Sequence, residues 1–189
     1  SQQAIFDQGH EVGELAQRLY PNGESVPFNT KPFAKKFTMT QDYIRSQVPA
    51  IYEATFQADG SMCMVDILHR TESGWDLIEV KSSTSKKDVT IQDIAVQYYI
   101  VTASGLPIQR AKLIHINTDY TRGNALDLNQ LFTIHDVTEE VIAMQSEIED
   151  LKSSLKQVVQ SSTAPNVSIG LHCFDPYECD CKALLVRCA

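Results

Sequence analysis

The chain has 189 residues, 43% of them hydrophobic, enough to bury one sizeable core, so one domain is the default. No apolar run approaches the roughly 20 residues that span a bilayer, and the opening SQQAIFDQGHEVGELAQRLY lacks the basic-then-apolar plan of a secretory signal, so a cytoplasmic protein is expected. A net charge of −8 argues against a generic nucleic-acid binder, but the charge is uneven: TEEVIAMQSEIEDL is acidic, whereas TKPFAKK and KSSTSKKD are basic.

In chain order, Ile5, Phe6, His10, Gly13, Ala16, Leu19 and Tyr20 recur at roughly helical spacing, and YPNG ends the pattern with Pro and Gly. The sequence opens inside this helical pattern without an initiating Met, as expected of a piece of something longer. An irregular basic stretch with Pro27 and Pro32 follows, then a short helical candidate, MTQDYIRSQ, with Thr38 or Thr40 as its cap. From Ala50 the pattern is extended. AIYEATF, MCMVDILHR and WDLIEVKS are separated by the turns ADGS and TESG, which predicts a three-stranded antiparallel meander.

VTIQDIAVQYYIVTASG then predicts about four turns of helix, with Gly105 just past its end. RAKLIHINTDY is a strong strand and LFTIHDV a shorter one. Helical crossovers between extended segments imply an α/β fold, a mixed sheet of about five strands flanked by helices. A long helix is expected over 136–162, with Thr138 as N-cap and Val141, Met144, Ile148, Leu151, Leu155 and Val158 at a heptad-like spacing. That spacing fits packing on the chain's own core and also fits a surface for a protein partner. Residues 1–135 form the expected core, and 163–189 a linker with a cysteine-bearing tail.

Two residues carry the chemistry of WDLIEVKS. A strand alternates with a period of two, so Glu79 and Lys81 leave the same face at its end. The preceding strand carries Asp66 among apolar neighbours, where an ionised carboxylate is costly unless paired or bound to a cation. Across a short turn Asp66 and Glu79 are expected near one another. Oxygen ligands of this kind select Mg²⁺ or Mn²⁺, and Lys81 would polarise a water or stabilise charge developing on a phosphate. Read alone, Glu79 and Lys81 are better explained as an exposed ion pair on an edge strand; Asp66, 13 positions earlier on the meander, reverses that balance. Glu53, which interrupts another apolar strand, is a further candidate active-site carboxylate.

The pattern of Asp66 followed by Glu79-x-Lys81 resembles the PD-(D/E)XK nuclease superfamily, and within it the RecB-like branch, over about residues 4–117. The resemblance implies a restriction-endonuclease-like core and a metal-dependent DNA nuclease, expected to be an exonuclease acting on single strands or ends. It implies catalytic roles for Asp66, Glu79, Lys81 and Gln97, the last matching that branch's helical glutamine, with Tyr98 beside it. The usual Tyr four positions after this Gln is replaced by Val101. His10, in GHEVGELA, matches a helical histidine ligand, so the implied metal set is His10, Asp66, Glu79 and the Val80 carbonyl. Glu14, one turn on, would be a partner of His10 or a solvated acid.

YEATF, the EVKSS core and the terminal HCFDPYEC block are similar to an uncharacterised bacterial group within that branch. Related CRISPR-associated and AddB-type exonucleases hold an iron–sulfur cluster with one cysteine before the first helix and three after the core. Of five cysteines here, Cys63 stands alone and Cys173, Cys179, Cys181 and Cys188 fall in the last 17 residues, a distribution unlike a secreted disulfide scaffold. A 4Fe–4S cluster in a longer parent, zinc on the four cysteines, or no metal all remain open. A rival reading is an inactive nucleic-acid-binding or scaffolding module of the same fold.

Overall fold

The computed structural model describes residues 2–30, 32–175 and 178–179. Cys181 and Cys188 lie outside these residues. The elements run α1 (Gln2–Gln17), β1 (Glu24–Ser25), α2 (Phe33–Arg45), β2 (Ala50–Ala58), β3 (Ser61–Arg70), β4 (Trp75–Lys81), α3 (Asp88–Ala103), β5 (Ile108–Ile116), α4 (Leu128–Leu131), β6 (Phe132–Asp136), α5 (Thr138–Ala143) and α6 (Gln145–Gln160). A turn of 3₁₀ helix follows at Leu171–Cys173. The chain divides into two compact units, Ser1–Ile148 and Glu149–Ala189.

The fold is α/β, with one mixed sheet in the order β1-β2-β3-β4-β5-β6 flanked by helices. β2, β3 and β4 form the expected antiparallel meander. The crossover through α3 then makes β4 and β5 parallel, because a helix-length connection returns the chain to the same end of the sheet. β6 adds antiparallel to β5. The sixth strand, β1, is two residues long and parallel to β2, too short to leave a periodic signal.

Two apolar clusters lie on the two faces. α1 contributes Val12 and Ala16 to one, with Ile67, Ile78, Ile114 and Phe132. The larger contains Ile91, Ile94, Ala95 and Val101 of α3 with Leu77, Leu113, Phe56 and Leu68. Every side chain in these clusters is removed from water, at roughly 25 cal/mol per Å² of apolar surface, and the helices are fixed over the sheet as a result.

Helix starts differ from expectation for local reasons. α2 begins at Phe33, directly after Pro32, rather than at Thr38 or Thr40; a fixed proline φ suits a helix entry. Thr40 is buried mid-helix and its hydroxyl accepts the Thr55 N–H at 2.9 Å. The helix expected over 136–162 is two, α5 and α6, meeting at Met144. Thr138 is its first residue rather than its cap, because the Asp136 carboxylate accepts the Thr138 N–H at 3.1 Å.

Candidate active site

Side-chain alternation along β2 and β3 breaks at one matched place. Ile51 and Leu68 join the α3-side cluster and Tyr52 and Ile67 the α1-side cluster, yet Ala54 and Val65 are again on the α3 side. Strict alternation would send them to the other face. The residues left between the register pairs Tyr52↔Ile67 and Ala54↔Val65 are Glu53 and Asp66. Glu53 absorbs the slip with φ +58°, a left-handed conformation that costs a non-glycine residue free energy and tends to persist where function requires it.

The next ladder carries the row further. β3 and β4 pair from Arg70↔Trp75 to Ile67↔Ile78 and then stop. The following positions are Asp66 and Glu79, so Glu53, Asp66 and Glu79 occupy consecutive places across three strands. Where the backbone ladder ends, the Val80 N–H donates to Asp66 Oδ2 at 2.7 Å.

Two sub-sites result. Under α1, a pocket of about 280 Å³ is lined by His10, Glu14, Phe28, Glu53, Asp66 and Val80, among others. On the α3 side Glu79 is buried; its Oε2 accepts from Gln97 Nε2 at 2.7 Å and its Oε1 meets Lys81 Nζ at 2.8 Å. Lys81 also reaches Asp93 at 3.3 Å. The shared face expected for Glu79 and Lys81 is therefore present, with α3 covering it. Glu79 reaches toward Gln97 and Lys81 rather than lining the pocket with Asp66.

Electrostatically the two sub-sites act on each other. Burial first, then the Glu79 charge, raises the Asp66 pKa well above the carboxylate range, and Glu53 adds to it. The Glu53 pKa is raised by burial, with His10 opposing and Glu79 reinforcing. Burial alone would lower Lys81, but the charges and hydrogen bonds of Glu79 and Asp93 outweigh it and raise the pKa. Lys81 is thus a fixed ammonium: it can donate to a water or a phosphate oxygen and cannot serve as a base at neutral pH.

Among the described residues, no three His, Cys, Asp or Glu side chains stand close enough together to hold a metal ion. The donor chemistry nonetheless suits a hard divalent cation: carboxylate oxygens and one imidazole border a single polar pocket, and the mutual repulsion of Glu53, Asp66 and Glu79 falls when positive charge is added.

Tyr98 packs against the α3-side core, and its carbonyl accepts from Thr102 Oγ1 at 2.7 Å. Cys173 is buried, and its carbonyl accepts the Cys179 N–H at 2.9 Å; both thiols are free. Sequence reasoning missed Asp93, although it lies four residues before Gln97 and so on the same face of α3. It also missed Lys36, a buried lysine whose charge lowers the Glu53 pKa; its position in a basic run gave no sign of burial.

No protein-family model matches the chain, and no curated protein matches it. Among solved structures, it is similar to one titled "Crystal structure of SSO0001", at 14% identity, covering 84% of this chain and 70% of that one, with a TM-score of 0.29. A likeness at that level carries no functional argument. Among the described residues no helix is long and apolar enough to cross a membrane.

Proposed function

We propose that the chain is a divalent-metal-dependent nuclease hydrolysing phosphodiester bonds of DNA, working on single strands or ends. One observation carries this reading: Glu53, Asp66 and Glu79 stand in a row across three strands at a break in side-chain alternation, beside a permanently charged Lys81.

Mg²⁺ or Mn²⁺ is the proposed cofactor; Asp66, His10 and the Val80 carbonyl would hold it in the α1 pocket, with the Glu79 charge acting on Asp66 from beside it. Bound there, it would neutralise excess carboxylate charge and polarise the phosphodiester. The chain's own groups supply the rest. Lys81 donates a hydrogen bond to the attacking water or to a phosphate oxygen on which charge develops. Gln97 fixes the carboxylate plane of Glu79, and Asp93 holds Lys81 from its other side. Glu53 adds a carboxylate at the pocket wall. In-line attack at phosphorus requires mainly such placement and charge neutralisation.

The test is Mn²⁺-dependent cleavage of labelled single-stranded and duplex DNA. Glu79→Ala and Lys81→Met are each expected to lose at least about 100-fold in rate. Equal rates in wild type and Glu79→Ala would sink the reading. DNA binding without turnover in the wild type would favour an inactive binding or scaffolding module instead.

A second reading, docking of a protein partner, rests on Leu151, Leu155 and Val158, which are 48%, 54% and 46% exposed at i, i+4, i+7 spacing on α6. Sedimentation of the chain with and without Leu155→Asp tests it: an unchanged sedimentation profile would count against self-association through this stripe.

A further inference from the structure

Beside the carboxylate row lies an aromatic group that the reading above leaves without a role. Phe28 is 70% exposed and borders two cavities, the α1 pocket that holds Asp66 and Glu53, and a neighbouring one lined by Phe33, Lys36 and Met64. Lys36 Nζ sits 4.8 Å from the Phe28 ring centroid and 5.2 Å from that of Phe33. The lysine is only 2% exposed. Among the described residues it forms no ion pair within 4.0 Å, and its ammonium donates only to Met64 Sδ at 3.6 Å.

A buried ammonium held by two rings and a sulfur is under-satisfied, since it carries three donors. Ring faces compensate in part, by about 0.5–2 kcal/mol. Its placement also has an effect on its surroundings. With the cation against one side of Phe28, that ring is steadied from beneath while most of it remains open to solvent. It also lends positive potential to the rim of an otherwise acidic pocket.

We propose that Phe28, backed by Lys36 and Phe33, is a stacking platform for an unpaired nucleobase, seating single-stranded DNA so that an adjacent phosphodiester enters the Asp66 pocket. The proposal rests on the nucleic-acid reading above, narrows it to single strands and adds the residues that would seat them. Three features point to this occupant. An exposed ring accepts any base, because every base has a π-face. The cation favours a polyanion over a neutral ligand. The platform is continuous with the proposed reaction pocket through Phe28 itself. A base inside a duplex has no free face to offer, so the platform selects single strands.

The experiment is fluorescence anisotropy of the full chain with a short labelled oligothymidylate, with Ca²⁺ in place of Mn²⁺. The ligands compared are the same strand annealed into a duplex and a single strand of abasic backbone. Phe28→Leu keeps apolar bulk but gives up the ring face over Lys36, so a thermal melt first establishes that the variant is folded at the assay temperature. Phe28→Leu is expected to weaken oligothymidylate binding about 5- to 100-fold. Duplex and abasic binding should be unchanged, and Phe28→Trp should restore the affinity. Wild-type affinity in Phe28→Leu, or an equal loss on the abasic strand, overturns the platform. Phe28-dependent binding without Mn²⁺-dependent cleavage keeps the platform and overturns the hydrolytic reading. Cleavage with Phe28-independent binding and KM does the reverse.

Discussion

Asp66 is a carboxyl whose ionisation the fold opposes. Its raised pKa means that the folded state disfavours the charged form: the penalty is absent below the ordinary aspartate range near pH 4, grows as pH rises through the raised value, and is full above it. Asp66→Asn, which keeps an oxygen for the Val80 N–H, is therefore expected to stabilise the protein at neutral pH by about 1 kcal/mol or more, a Tm rise of about 2–4 °C. It should also flatten the fall in stability with rising pH. Thermal melts over a pH series check this, and wild-type-like stability in the variant would contradict it. Glu53 offers a second test at this scale. At φ +58° glycine is relieved of strain that alanine keeps, so Glu53→Gly should be more stable than Glu53→Ala by about 1 kcal/mol in denaturant unfolding. Asp66, Glu79 and Lys81 were legible in the sequence because a charge inside an apolar strand is costly enough to require a reason. The left-handed Glu53 was not legible, since its conformation arises from two strands slipping together.

Among the elements, β4 is the one on which the site depends, and its entry is tightly specified. A Cβ added at Gly74 would lie 2.7 Å from the Pro107 carbonyl oxygen, a backbone atom that can move only with the strand. The same carbonyl accepts the Trp75 N–H at 3.1 Å, where β4 meets β5. Gly74→Ala is therefore expected to destabilise the protein by about 1–3 kcal/mol through displaced backbone, read as a lower Tm; an unchanged Tm would show that the junction yields. The meander, α3 and β5 could be read from periodicity and turn residues. The division into α5 and α6 could not, because Met144 lies at a helical spacing in sequence and only the geometry interrupts the helix. Gln97 was singled out by family likeness alone, and its hydrogen bond to Glu79 is visible only in the structure; the neighbouring Tyr98 packs in part against the core.

At the scale of the whole molecule, the buried apolar side chains among the described residues, other than Cys173, lie at or before Ile148. A chain ending at Gln160 is accordingly expected to melt in one cooperative transition within about 2 °C of the full chain; loss of the transition would mean that the tail is needed for folding. The fold class was legible because alternation and helical period differ so plainly, while the two-residue β1 leaves no such trace. A sheet normally separates what lies above it from what lies below. Here the ladder of β3 and β4 ends at Ile67↔Ile78, with a side chain standing in for the missing backbone partner. The barrier is thereby breached at one point, so occupancy beneath α1 would be felt at once by the ammonium on the far side. A spectroscopic label near Lys81 would then report events in a cavity it never enters.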